Sequence, residues 1–432
     1  MAEKQRRLMI AAPQSGSGKT VVTLGLLACL KARGLDVAAA KAGPDYIDPG
    51  WHELATGRAS VNLDPWAMSP GRLAALAAGQ GGEALIVEAM MGLFDGAADG
   101  SASPADLAAQ LGLPVILVID AARQSHSVAA LARGFAAHRD DVRVAGVILN
   151  RVGGARHEAM LRDALKRAGI AVFGAVPRHA ALTLPERHLG LVQAGELTAA
   201  QALLAEAGRI VAASCDLEAI VGLGKRAPRT AAPAAGIAPI GRRIAIARDA
   251  AFSFVYPHLL ADWRGAGAEL SFFSPLQDEG PRDDADAVFL PGGYPELHAG
   301  RIASAETFRS AMRAAAARGA FVYGECGGYM TLGDGLVDAG GVRHAMLGLL
   351  RLETSFARRS LHLGYRRMTA LAPFAAGQHF RGHEFHYSSA VREEGQALFS
   401  ARDATGADLG RKGLRNGTVA GSYLHVIDLE GA

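Results

Sequence analysis

Apolar residues in the first half of the chain come in short, nearly unbroken runs: LMIA from Leu8, ALIVEAM from Ala84, VILVID from Val115 and VAGVILN from Val144. Such runs, bounded by turn residues, are the pattern of strands buried on both faces. Between several of them lie longer segments with apolar residues at helical spacing, TVVTLGLLACLKARG from Thr20 and SVAALARGFAAH from Ser127. Strand and helix in alternation predict a parallel sheet covered on both sides. The periodicity lapses over KRAPRTAAPAAGIAPIG, Lys225 to Gly241, which is rich in Ala, Pro and Gly as linkers are. It then restarts with RIAIARD, DAVFLPGG and AFVYGECGG, with the helical stretch AETFRSAMRAAAARG between the last two. The expected organisation is an α/β domain over 1–224, a linker over 225–241 and a second α/β domain over 242–432. No internal repeat is visible, and the two halves share no motif.

A length of 432 residues agrees with this division, since it exceeds what one hydrophobic core serves. Lys plus Arg total 45 against 42 Asp plus Glu, a formal charge of +3, and the basic residues are scattered. Neither nucleic acid nor membrane is therefore expected as a partner: there is no basic block, no apolar run of transmembrane length, and no signal-peptide pattern in MAEKQRRLMIAAPQ. A cytoplasmic location follows as the expectation; the oligomeric state is left open, a homodimer included. Cys29, Cys215 and Cys326 are far apart and show no C-x-x-C spacing, which disfavours a disulfide framework and a structural zinc site. Cys29 sits among apolar neighbours at helical spacing and is expected in the core, and Cys215 has no histidine or glycine context.

The first candidate chemistry is APQSGSGKT, residues 12 to 20, between the first strand and the first helix. The P-loop pattern is Gly-x-x-x-x-Gly-Lys-Ser/Thr; Gly18, Lys19 and Thr20 fit it, and Pro13 stands at the first glycine. Small residues at Ser15, Gly16, Ser17 and Gly18 let backbone N–H groups close on phosphate oxygens at a helix N-terminus. Lys19 can reach the outer phosphates, and Thr20 can ligate Mg²⁺. Magnesium takes oxygen ligands, and carboxylates stand at strand ends nearby: Asp45 and Asp48 in KAGPDYIDPGWH, Glu88 and Asp95 in LIVEAMMGLFDG, and Asp120 closing VILVID. Thr20, Asp45 and Glu88 are the candidate metal ligands. Each carboxylate alone is as readily a helix cap or a solvated loop residue.

APQSGSGKT, KAGPDYIDPGWHELATGRASVNLD and VEAMMGLFDG together resemble the corrinoid a,c-diamide synthases, which act on cobyrinic or hydrogenobyrinic acid. The resemblance extends over essentially the whole chain. It implies a dethiobiotin-synthetase-like parallel-sheet P-loop domain that uses ATP and Mg²⁺ to phosphorylate a substrate carboxylate. Asp45, Tyr46, Asp48, Glu88 and Asp95 would surround the ATP and the corrinoid carboxylates. Asn150, closing VAGVILN, is similar to an asparagine that reads the adenine edge in related folds, and is equally a strand-end turn residue.

In AFVYGECGGYM an apolar strand runs into Gly324, Glu325, Cys326, Gly327 and Gly328, a layout like the nucleophile elbow that G-x-S-x-G makes for serine. The glycines permit a strained turn, and the N-terminus of the following helix is expected to lower the thiol pKa. Upstream, VFLPGGYPEL carries Gly292 and Gly293, whose amides, with that of Gly327, are candidates to face an oxyanion. His425 in GTVAGSYLHVID is the candidate base for Cys326. These segments resemble the flavodoxin-like class I glutamine amidotransferases of the cobyrinic and cobyric acid synthase type. The resemblance makes Cys326 the nucleophile that forms a glutamyl thioester and His425 its proton acceptor and donor. It departs at one place: Ile427 stands where many of these enzymes have a glutamate two residues after the histidine, with Asp428 adjacent. FRGHEFHYS is dense in His383, Glu384 and His386, as a metal site would be, but the resemblance places a similar segment in this domain without metal.

The function these features imply is ATP- and L-glutamine-dependent amidation of the a and c carboxylates of hydrogenobyrinic acid in cobalamin biosynthesis. Ammonia released from glutamine would attack an acyl phosphate. The same reaction on cobyrinic acid is the alternative within the class; an Ala-, Arg- and Gly-rich composition tilts the choice toward the metal-free corrinoid. From another class, a P-loop regulatory ATPase with an inactive amidotransferase-like module would fit the architecture. The presence of both Cys326 and His425, and Gln14 where partitioning ATPases carry a lysine, argue against it.

Overall fold

The computed structural model describes residues 4–187, 190–228, 231, 234–371 and 375–431. It divides into two units, residues 1–234 and 235–432.

The first unit holds strands β1 (Lys4–Ala11), β2 (Val37–Ala42), β3 (Val61–Leu63), β4 (Ala84–Glu88), β5 (Val115–Asp120), β6 (Val144–Val152) and β7 (Val172–Pro177), of which β1, β4, β5 and β6 are the four apolar runs that the sequence marks. They pair in parallel in the order β3-β2-β4-β1-β5-β6-β7. Helix α1 (Lys19–Ala32) follows β1, and α2 (Asp48–Thr56) follows β2. β1 and β2, consecutive in sequence, are separated by β4, so the carboxyl ends of β2, β4 and β1 lie side by side. The register is specific: Glu88 on β4 stands opposite Lys41 on β2 and Ile10 on β1. Helix α3 (Ala200–Ser214) closes against α1, where Gly25 leaves room: a Cβ there would fall 2.5 Å from Val211 Cγ2. Cys29 is buried in that layer.

The segment expected as a linker begins as a strand. β8 (Lys225–Pro228) runs antiparallel to the start of β1, with Lys225 opposite Arg7 and Pro228 opposite Lys4. β1 turns to β5 only from Met9 onward, so Lys4 to Arg7 offers an open edge, and backbone pairing does not need apolar side chains. Residues 229, 230, 232 and 233 of the expected linker lie outside the described residues.

The second unit holds one long mixed sheet. Its parallel half is built from β9 (Arg243–Ala247), β10 (Glu269–Phe273), β11 (Ala287–Leu290) and β12 (Phe321–Glu325); β9, β11 and β12 are the runs that the sequence pattern marks, and β10 is not among them. Its other half is an antiparallel array that the pattern did not reveal: β13 (His362–Ala370), β14 (His379–His386), β15 (Gln396–Asp403), β16 (Asp408–Asn416), β17 (Val419–Ser422) and β18 (Leu424–Leu429). The sheet order is β10-β9-β11-β12-β17-β16-β15-β13-β14-β18. β17 pairs in parallel with β12 and joins the halves, which brings the C-terminal strands beside the end of β12 where Cys326 lies. Phe252, Phe289, Phe308 and Tyr329 are among the largest fully buried side chains here.

Candidate functional site

In the first unit, the phosphate loop bends through Gly16 (φ 78°) and Gly18 (φ 82°), left-handed conformations that glycine adopts without steric penalty. A Cβ on Gly18 would also fall 2.1 Å from Asn150 Nδ2. The loop is braced from outside: Ser17 Oγ donates to Gln14 O (2.9 Å), Asn150 Nδ2 to Ser17 O (2.9 Å), and Arg151 Nη1 to Gly16 O (2.9 Å). Asn150 Oδ1 accepts the Arg151 N–H (2.9 Å), so this amide is held against the loop as well as lining the cavity beside it. Ser15 is exposed. That cavity, about 540 Å³, is lined by Gly16, Gly18, Lys19 and Thr20 of the phosphate loop together with Arg178, His179, Leu182 and Leu184. Its place beside the loop suits a nucleotide held by its phosphates.

Four residues meet behind the phosphate loop. Thr20 Oγ1 donates to Glu88 Oε1 (2.7 Å), Lys41 Nζ lies 3.0 Å from the same oxygen, and His52 Nε2 stands 2.8 Å from Glu88 Oε2. Lys41 also pairs with Asp48, and Lys19 Nζ is 3.7 Å from Glu88. Lys41, Asp48, His52 and Glu88 are all buried. Burial penalises each charge, and the pairing decides the outcome. Burial pushes the Glu88 carboxyl up, but Lys41, His52 and Lys19 outweigh it and hold the group well below its usual range. Burial lowers Lys41, but Asp48, Glu88 and Asp45 more than compensate, so it stays charged. Asp48 is pushed up to about 6 by burial and the neighbouring Asp45. Burial and the charge of Lys41 lower Lys19.

Among the other expected carboxylates, Asp45 uses Oδ1 to accept the N–H groups of Ile47 (2.7 Å) and Asp48 (3.0 Å), a turn at the start of α2. Its charge still reaches Lys19 and Lys41. Asp95 accepts the Gly92 N–H (2.8 Å) and closes its own loop, while Asp120 pairs with Arg151 (2.5 Å). Tyr46 is half-buried in the same turn as Asp45. The sequence reading missed Lys41 and His52; the visible signal was a lysine inside the apolar strand VAAAKA, which is tolerated only where it is paired.

In the second unit Cys326 has φ 46° and ψ −102°, a left-handed backbone that costs a non-glycine residue roughly 1–3 kcal/mol. The surrounding glycines make the bend possible: a Cβ on Gly328 would fall 1.8 Å from Leu290 O, and one on Gly324 2.8 Å from the Gly328 carbonyl carbon. Cys326 N donates to Ser422 O on β17 (2.8 Å), which ties the elbow to the strand just before His425. The missing Cβ of Gly292 locates the base. It would lie 2.5 Å from His425 Cε1 and 3.4 Å from Cys326 Cβ, so histidine and cysteine close on one point from two elements. Gly293 N lies 3.1 Å from where a Cβ on Gly327 would sit, and the Gly327 N–H points at the thiol.

The thiol's acidity differs from the sequence expectation. Burial, with Glu296 and the nearby Glu325 and Glu384, pushes the Cys326 pKa up; the Gly327 N–H opposes them and loses. The following helix, α4 (Gly327–Leu332), is only six residues long, so its N-terminal field is weak against full desolvation. Burial likewise pushes Cys29 up to about 11 and Cys215 up to about 12. Backbone geometry and the neighbouring histidine therefore distinguish Cys326; thiol acidity does not.

His425 is enclosed. The ring of His383, opposite it in the β14–β18 register, stacks on it with centroids 4.8 Å apart and 10° between planes. Burial and the charges of His425 and Arg366 hold His383 well below the usual histidine range, so it is neutral. Ile427 is buried and gives its carbonyl to His258 Nε2 (2.9 Å), and Asp428 Oδ1 accepts the Leu429 N–H (2.9 Å). Glu325 faces His425, with Oε2 3.7 Å from Nδ1. Ligand atoms of Glu384 and His386, in FRGHEFHYS, and of His362 on β13 lie within 4.8 Å of one another. Glu384 Oε2 is already held by Arg366 (2.8 Å), and the rings of His362 and His386 stack flat at 4.7 Å, the geometry of a cross-strand packing network.

Comparison with known proteins agrees with both halves. Residues 8–192 match the CobQ/CobB/MinD/ParA nucleotide binding domain, and residues 243–432 match the CobB/CobQ-like glutamine amidotransferase domain. The chain is 60% identical to a hydrogenobyrinate a,c-diamide synthase of Rhizobium meliloti over 98% of its own length and 99% of the relative's. Enzymes of that name from Brucella suis (58%; 98% of each chain) and Rhodobacter capsulatus (52%; 99% of this chain and all of the relative) are similar along the same extent.

Proposed function

The chain belongs to the hydrogenobyrinate a,c-diamide synthase family, and from that membership we propose that it amidates the a and c carboxylates of hydrogenobyrinic acid with ATP and glutamine. The observation that carries the reading is the paired geometry of Cys326 and His425 at a strained elbow, in a chain that also holds a phosphate loop.

A carboxylate is a poor acyl donor, because an oxide is a bad leaving group. In the first unit a corrinoid carboxylate attacks the γ-phosphorus of ATP, forming an acyl phosphate and releasing ADP. Lys19 and the loop amides hold the phosphates, and Lys41, kept charged by Asp48 and Glu88, offers a second cation where negative charge gathers. The Thr20 hydroxyl and the Glu88 carboxylate, with Asp45 and Asp48 close by, are an all-oxygen set that suits Mg²⁺. Bound with ATP, the ion supplies charge neutralisation on the phosphates. Asp95 and Tyr46 are assigned to the rim that receives the corrinoid, and the cavity beside the phosphate loop to the rest of the nucleotide.

In the second unit His425 takes the Cys326 proton as sulfur attacks the glutamine carboxamide carbon. The amides of Gly293 and Gly327, with Gly292 alongside, face the oxyanion. His425 then returns the proton to the departing nitrogen, releasing ammonia, and water hydrolyses the thioester to glutamate. Ammonia attacks the acyl phosphate, forming the amide and expelling phosphate. Because free ammonia is mostly protonated at neutral pH, on-site release makes the second step practical. ATP and glutamine supply place the reaction in the cytoplasm. The test is ATP turnover by the purified protein with glutamine and either hydrogenobyrinic or cobyrinic acid. Turnover with the metal-free corrinoid and formation of its a,c-diamide is expected; turnover with the cobalt form alone would reassign the substrate.

A further inference from the structure

We infer that Glu325, the residue immediately before the nucleophile, is the acid that positions and charges His425; this rests on the amidotransferase reading above. The position two residues after the histidine, Ile427, cannot do so. Glu325 is buried at the end of β12 and approaches from the nucleophile's own strand. Its Oε1 accepts two hydrogen bonds, from the Tyr323 hydroxyl (3.1 Å) and from the Val426 N–H (3.2 Å). The second donor is the backbone next to His425, so the carboxylate is fixed to the strand that carries the base. The other oxygen, Oε2, is aimed at His425 Nδ1 at 3.7 Å. That separation is an ion-pair contact, longer than a hydrogen bond, and it strengthens when the ring takes a second proton.

The proton balance gives this arrangement a function. When His425 accepts the thiol proton on one ring nitrogen, the ring becomes an imidazolium with an N–H at the other, and Glu325 faces that N–H. The carboxylate keeps its charge and no proton passes to it, as for the acid that orients histidine in serine-protease triads. The remaining groups around His425 do not duplicate the role. His383, stacked on the ring from β14, is neutral and cannot offset a cation. Arg366 acts on His383, and Glu296 and Glu384 act on the thiol; of these three, the carboxylates oppose thiolate formation. A buried carboxylate beside a thiol would only raise the barrier to attack unless it also stabilised the partner cation. Glu325 contacts the histidine as well as acting on the thiol.

Glu325→Gln separates positioning from packing, since glutamine keeps an acceptor for Tyr323 and Val426 and removes the charge. The measurements are kcat/KM for glutamine hydrolysis against pH and amidation supported by free ammonia. The expected result is a fall of about tenfold or more in glutamine hydrolysis. Its acidic limb, set by loss of the imidazolium proton that leaves His425 free to accept from the thiol, should move down by about one pH unit, with ammonia-dependent amidation unchanged. Glu325→Asp, which keeps the charge, should return the limb toward the wild-type position. A limb that stays put in E325Q, whether or not the rate falls, overturns the proposal, as does a limb equally displaced in both variants. Wild-type protein that releases no ammonia from glutamine fails the amidotransferase reading itself; an active wild type with an unmoved limb in E325Q fails this proposal alone.

Discussion

Gly292 lacks a side chain because His425 occupies the space one would need. A methyl group there would meet His425 Cε1 at 2.5 Å, and the buried ring, stacked on His383, has little room to retreat. Gly292→Ala should therefore displace the base from the thiol and lower glutamine-dependent amidation by about 100-fold, as misplacement by an ångström does. Ammonia-dependent amidation should be unaffected; assays with the two nitrogen sources decide it. Glu88 works differently, because it joins Thr20, Lys41 and His52. Glu88→Gln should depress amidation with glutamine and with ammonia alike, and an unchanged ammonia-dependent rate would remove Glu88 from the synthetase site. The residues that the sequence revealed were those announced by small neighbours: Gly18 to Thr20, and Cys326 among its glycines. Lys41 and Glu325 were harder to see because their meaning lies in partners 47 and 100 residues away along the chain.

At the scale of elements, the parallel strands were legible because both faces are buried and the runs are continuously apolar, as in VILVID. Much of the array β13–β18 was not, because β13, β15 and β16 mix exposed with half-buried positions and carry charge: β13 reads HLGYRRMTA and is mostly half-exposed. Part of what joins it is ionic. Arg366 on β13 pairs with Glu384 on β14 (2.8 Å), and Glu384 also contacts His386 (3.0 Å). Burial pushes the Glu384 carboxyl up, but His386 and Arg366 outweigh it and bring it down to about 2 from the ordinary 4.5. A lowered acid pKa means stability present above pH 4.5 and lost as pH falls toward 2. Glu384→Gln should thus destabilise the second unit at neutral pH by on the order of 3 kcal/mol, with the difference from wild type shrinking through that acid window. Denaturant unfolding across pH, followed by near-ultraviolet circular dichroism, checks this. β8 shows the opposite lesson: its residues pair through backbone groups, which no side-chain pattern records.

Over the whole molecule, two chemistries occupy two units of the chain, one around a phosphate loop and one around a strained thiol. The order of motifs made that division legible, because phosphate loops and nucleophile elbows both need small residues at a strand-to-helix turn. The sequence misled on the thiol's acidity, since a helix N-terminus is visible in sequence whereas the burial and carboxylates that oppose it are assembled only by the fold. The account's central claim is that Cys326 serves only to release ammonia, which the phosphate-loop unit then uses. The most direct measurement is diamide formation by Cys326→Ser with ATP and hydrogenobyrinic acid, supplied with either glutamine or ammonium at a pH that provides free ammonia. The account predicts that glutamine no longer supports synthesis while ammonia does so at the wild-type rate. Equal failure with both nitrogen sources in the folded variant, or undiminished synthesis from glutamine, would contradict it.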